Sequence, residues 1–101
     1  MIDLNTVGET ISPALAEYVS HAAIDLDTCT VRVRYMLPTL PDAAIIGCEL
    51  TVTYFELRGV WEPELYDLRS IDAHGDVMSD VEWCIKPGRL EVRAIEIIAG
   101  G

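Results

Sequence analysis

At 101 residues, half of them hydrophobic, the chain has the length and apolar content for one domain, residues 1–101, with a packed core that needs neither disulfides nor metal. Seventeen acidic residues against seven basic ones leave a net charge of −10, which argues against direct binding of nucleic-acid phosphates or anionic membranes and favours a basic partner. No apolar run reaches bilayer length, and MIDLNTVGET has neither a basic nor an apolar leader region. Cys29, Cys48 and Cys84 have no C-x-x-C spacing, so reduced thiols in a cytoplasmic protein are expected.

In chain order, residues 2–7 read as a short strand or a frayed terminus. Ser12-Pro13 has the form of an N-cap followed by proline at the first helical position. The segment PALAEYVSHAAI then places Leu15, Tyr18, Val19 and Ala22 on one side, which predicts a helix over 13–24. From Thr28 the period changes to two. Cys29, Val31, Val33, Tyr35 and Leu37 share one face, opposite Thr30, Arg32 and Arg34. A second strand is predicted over 45–57, with Cys48, Leu50, Val52 and Tyr54 on one face and a phase slip at Tyr54-Phe55 that a β-bulge would produce. RGVWEPEL reads as a turn-rich connection to a third strand over 66–71. The stretches VMSDVEWCI and RLEVRAIEII, joined by KPGR, read as a final hairpin that pairs Trp83 with Val92 and Ile85 with Leu90.

The expected architecture is α+β: one N-terminal amphipathic helix packed on an antiparallel β-meander of four to five strands. This element order is similar to that of cystatin-like folds, a resemblance of topology that no motif accompanies. A second sheet face carrying Met36, Phe55 and Ile98 is expected to be apolar and available for dimerisation.

The densest polar stretch, DAHGDVMSDVE, does not fit a calcium loop, because Gly75 is its fourth residue and His74 takes an oxygen-ligand position. It has no second histidine nearby for zinc. It is explained as a turn in which Asp72 starts, Ala73 and His74 fill, and Gly75 takes the left-handed position. Neither a nucleophile elbow nor a phosphate-binding glycine motif is present, so no enzyme, metal or cofactor is expected. The expected function is non-enzymatic binding of a basic protein surface through Glu62, Glu64, Asp67, Asp72, Asp76, Asp80 and Glu82. A concrete version is a phage- or mobile-element-encoded inhibitor of a nucleic-acid-handling host complex, of the anti-CRISPR or anti-restriction kind. The alternatives are an oligomeric phage or bacterial assembly protein, including a homodimer, and a small-ligand-binding or enzymatic α+β domain with its pocket between helix and sheet.

Overall fold

The structure is a computed structural model that describes residues 2–36, 44–78 and 85–100, with side chains described as far as residue 97. Its first element is a helix, α1 (Leu4–Thr10), where the sequence suggested a strand or a frayed end. Asp3 explains the difference. Its carboxylate accepts the backbone N–H of Asn5 at 3.0 Å and of Thr6 at 3.1 Å, while Thr6 Oγ1 accepts the Asp3 N–H at 3.4 Å. This is a capping box with threonine in the place usually held by glutamate. Ile2 and Val7 flank it and are both buried in the core, at the two positions where a hydrophobic staple packs.

The helix expected over 13–24 is not formed. A short 3₁₀ helix, η1 (Pro13–Tyr18), gives way to strand β1 (Val19–Asp25). Ser12 makes no side-chain cap, and its hydroxyl instead donates to Glu91 Oε2 at 2.7 Å. Downstream, the Asp25 carboxylate accepts from the N–H groups of Asp27 and Thr28, and Cys29 takes a left-handed φ of 53°. That turn folds β1 back onto β2 (Thr30–Met36), with Asp25 opposite Thr30 and His21 opposite Arg34. A local hairpin thus overrides the modest helix preference of the alanines. Without the long helix, the likeness to cystatin-like order loses its basis.

Strand β3 (Ile45–Leu57) has the limits the alternation predicted, and β4 (Val60–Asp72) contains the expected third strand. The four strands form an antiparallel meander in the order β1-β2-β3-β4. Most of RGVWEPEL belongs to β4; the turn itself is Arg58 and Gly59. Both have positive φ, 53° and 81°, as a two-residue primed hairpin turn requires. The phase slip expected in β3 is not formed: the register shifts between Thr53 and Tyr54, where Thr53 faces Leu65 and Tyr54 faces Pro63, but β3 keeps its alternation and Phe55 and Leu57 fall on the face opposite Tyr54. The extra residue is Glu64, on β4. Beside it, Pro63 is tolerated because β4 is an edge strand.

The C-terminal hairpin is also corrected. Residues Pro87–Gly100 form a helix, α2, with proline at its first position. RLEVRAIEII alternates at period two, but Leu90, Ala94 and Ile97 also lie at helical spacing. Ala94 and Ile97 are buried in the core, whereas Val92 and Ile95 are exposed. Ile98 therefore lies in α2 and not on a sheet face. Ile85 is buried, and its N–H donates to the Tyr66 carbonyl at 2.9 Å. Trp83, whose pairing with Val92 was expected, lies outside the described residues.

Val31, Val33 and Tyr35 of β2, Cys48, Leu50 and Val52 of β3, and Leu68 of β4 form one core with Leu15 of η1 and Ala94 and Ile97 of α2. Helices therefore cover one face of the sheet. The α+β class with an N-terminal helix and a four-stranded antiparallel meander holds, with a second helix added at the C-terminal end. Among the described residues, no helix is long and apolar enough to cross a membrane.

Candidate interaction surface

The seven acidic residues expected to form one contact surface occupy different parts of β4 and its flanks. Glu62 and Glu64 are exposed near the Arg58–Gly59 turn, Glu62 opposite Phe55 and Glu64 in the bulge. Asp67 is half-buried in mid-strand, opposite Thr51. Asp72 and Asp76 lie at the other end. Asp72 is eight positions beyond Glu64, roughly 26 Å along an extended strand, so these two ends do not form one patch. Asp80 and Glu82 lie outside the described residues.

The DAHGD stretch is a turn. The Gly75 N–H donates to the Asp72 carbonyl at 2.9 Å, and Gly75 has a φ of 85°. The Asp72 carboxylate accepts from the N–H groups of His74 and Asp76 at 2.9 and 3.0 Å. Asp72 is thus occupied by its own backbone. Val77 then bridges to Ile71, and the Met78 N–H reaches the Ser70 carbonyl. Among the described residues, no three His, Cys, Asp or Glu side chains converge on a metal-sized site.

The sheet face away from the helices is polar across its middle. Cross-strand register aligns His21, Arg34, Glu49 and Arg69 in one row and Ala23, Arg32, Thr51 and Asp67 in the next. Glu49 is only 8% exposed. Arg34 Nε donates to its Oε2 at 2.8 Å, and Arg32 Nε stands 3.9 Å from Oε1. Pairing of this kind is what allows a carboxylate to be buried. Met36 and Phe55 lie beyond this charged band at opposite ends of the face, so the band separates them and they do not form one continuous apolar patch.

Apolar exposure on this face is concentrated at the Phe55 end. β2 pairs with β3 only from Gly47 to Thr53. Beyond Thr53, β3 and β4 continue as a two-stranded arm whose members pair with each other out to Leu57 and Val60. Phe55 is 37% exposed, Leu57 52%, Val60 57% and Leu65 42%. Strand alternation puts all four on one side of the arm, with Glu62 between them. Trp61 and Tyr54 are on the other side with Glu56, turned toward the core, and Tyr54 Oη lies 2.6 Å from Thr10 Oγ1. The molecule is correspondingly long, 48 × 24 × 22 Å.

Period-two alternation through Phe55 and Leu57 was visible in the sequence, but not that the sheet stops at Thr53. The thiols offer little chemistry. Burial pushes the Cys48 thiol up to about 12, leaving it protonated and inert at neutral pH. The Cys29 Sγ is spent on a 3.6 Å contact with the Leu26 carbonyl. Cys84 lies outside the described residues. No protein-family model, curated protein or solved structure significantly matches this chain.

Proposed function

We propose that the protein is a non-enzymatic binding domain that grips a basic protein surface with the tip of its β3–β4 arm. One observation carries this reading. Phe55, Leu57, Val60 and Leu65 are exposed on one side of the arm, and Glu62 and Glu64 stand on the same segment. An apolar centre with a charged rim is the anatomy of a protein interface. Isolated two-stranded ribbons are marginal in water, so a partner that covers the strip would also stabilise the arm. The net charge of −10 would speed association with a cationic surface and oppose nucleic acid.

Complexes that handle nucleic acid present such cationic grooves. The specific version of the reading is an inhibitor of one of them, encoded by a phage or mobile element, that occupies the groove in competition with DNA or RNA. The test compares the proteins retained from host extract by the immobilised wild type and by the triple variant Phe55→Ser/Leu57→Ser/Glu62→Lys. Retention of a nucleic-acid-handling complex by the wild type, lost in the variant and weakened by added salt, is the expected result. Equal retention by both proteins would refute the role of the arm.

A second reading, assembly from copies of this chain, is favoured by β1. This is an edge strand exposed from Ser20 to Ala23, and an exposed edge can pair with another strand. Light scattering separates the two readings: the binding domain stays monomeric without its partner, and the assembly protein does not.

A further inference from the structure

Between η1, the sheet and α2 lies a cavity of about 100 Å³, separate from the arm. Its walls are Leu15, Leu50, Leu68, Leu90 and Ala94, with Tyr35 as the polar exception among its buried residues. The Ser12–Glu91 hydrogen bond ties η1 to α2 at its exposed side. Tyr35 is fully buried, and its hydroxyl has no hydrogen-bond partner among the described residues. A buried hydroxyl without a partner is costly, and phenylalanine would fill the same space without that cost. The hydroxyl is therefore explained best by a group that enters the cavity and bonds to it.

The geometry points to a binding site for a small, neutral, mostly apolar organic molecule with one hydrogen-bond acceptor, such as a ketone, ether or alcohol, held between the helices and the sheet with its acceptor on Tyr35 Oη. The five aliphatic walls would take the hydrocarbon part and exclude a charge. Size limits the occupant: an apolar cavity of about 150 Å³ holds benzene, so this smaller one suits molecules of about four or five heavy atoms. Burial pushes the Tyr35 phenol up to about 12, so it is a donor at neutral pH and the ligand must accept. This site is independent of the proposed arm interface, and either can fail without the other.

The test titrates the full chain with cyclobutanone and with methylcyclobutane, which has the same number of heavy atoms but no acceptor, and follows NMR shifts of Leu50, Leu68 and Ala94. Saturable binding of cyclobutanone, about five-fold or more tighter than the hydrocarbon, is expected. In Tyr35→Phe that preference should vanish while the hydrocarbon still binds, and the melting temperature should hold or rise because the unpartnered hydroxyl is gone. Absence of saturable binding by either probe would overturn the proposal. So would an undiminished ketone preference in Tyr35→Phe, or a fall in its melting temperature, since that would mean the hydroxyl already has a partner.

Discussion

The β3–β4 hairpin is one continuous ribbon with two unlike halves. In the root, between Gly47 and Thr53, β3 lies between β2 and β4, and Cys48, Leu50 and Val52 are at most 1% exposed. In the arm the apolar residues change sides: Tyr54 keeps to the helix-covered face, whereas Phe55 and Leu57 stand on the opposite one and are 37% and 52% exposed. On that opposite face the root carries Glu49 and Thr51, and the arm carries Phe55 and Leu57. Alternating hydrophobicity marks the side of a strand that is meant to be covered. In the root the cover is this chain's own helices, and in the arm we read it as a partner.

The largest expected effect contrasts two leucines seven positions apart. Leu50→Ala should cost on the order of 2–5 kcal/mol, because the transfer and cavity terms both apply in a closed core. Leu57→Ala should change stability by no more than about 0.5 kcal/mol, as exposed substitutions usually do. Urea denaturation measures both. A comparable loss in Leu57→Ala would mean that the arm is packed like the root and would erase the distinction.

Gly47 should come next. A Cβ there would stand 2.3 Å from the Tyr35 carbonyl oxygen, a backbone atom that cannot turn aside. Gly47→Ala should therefore force β2 and β3 apart and cost about 1–3 kcal/mol. Gly59 in the arm turn has open space around it and a φ of 81°, so Gly59→Ala should be penalised for its backbone conformation alone, about 1 kcal/mol. Equal effects would show that crowding at the root is not what makes Gly47 necessary.

Alkaline pH should also find the root first. Burial raises Tyr35 from 10.0 to about 12 and Cys48 from 9.0 to about 12. Both groups are neutral when protonated, so the unfolded chain loses these protons before the folded one does. Their contribution is fully present below about pH 9 and declines as pH rises towards 12. Melting temperature followed from pH 8 to 11 should fall less steeply in Cys48→Ala than in the wild type. Parallel slopes would remove Cys48 from the account.

The smallest stability effect belongs to the arm glutamates. Glu62→Lys with Glu64→Lys should leave the denaturation midpoint unchanged but slow association with a basic partner, most strongly at low ionic strength. Glu9→Lys, on α1, is the control that should matter less. Stopped-flow association rates across a salt series decide the matter.

Much of the sheet was legible because β2 and β3 alternate cleanly and have arginines or threonines on the opposite face. The turn at Asp72–Gly75 was legible because aspartate and glycine occupy the positions their chemistry favours. The elements that were misread each satisfied two templates. Residues 90–97 fit a strand by alternation and a helix by Leu90, Ala94 and Ile97, and Pro87 favoured the helix. Residues 19–24 looked helical through their alanines until the Asp25 turn paired them with β2. The acidic surface was misjudged in extent because β4 is twice as long as the strand inferred from 66–71, which sends Glu62 and Asp72 to opposite ends. The arm could not be read from sequence at all, since nothing local records that β2 ends at Thr30, opposite Thr53.

Hydrogen–deuterium exchange of the arm amides, with and without the captured partner, tests the central claim most directly. In the free protein, residues 55–63 should exchange faster than residues 47–53, because they lack a third strand beside them. In the complex, the arm should become protected while the root keeps its own slow rates. Protection appearing along β1 or over α2 instead, with the arm unchanged, would contradict the account and place the interface elsewhere.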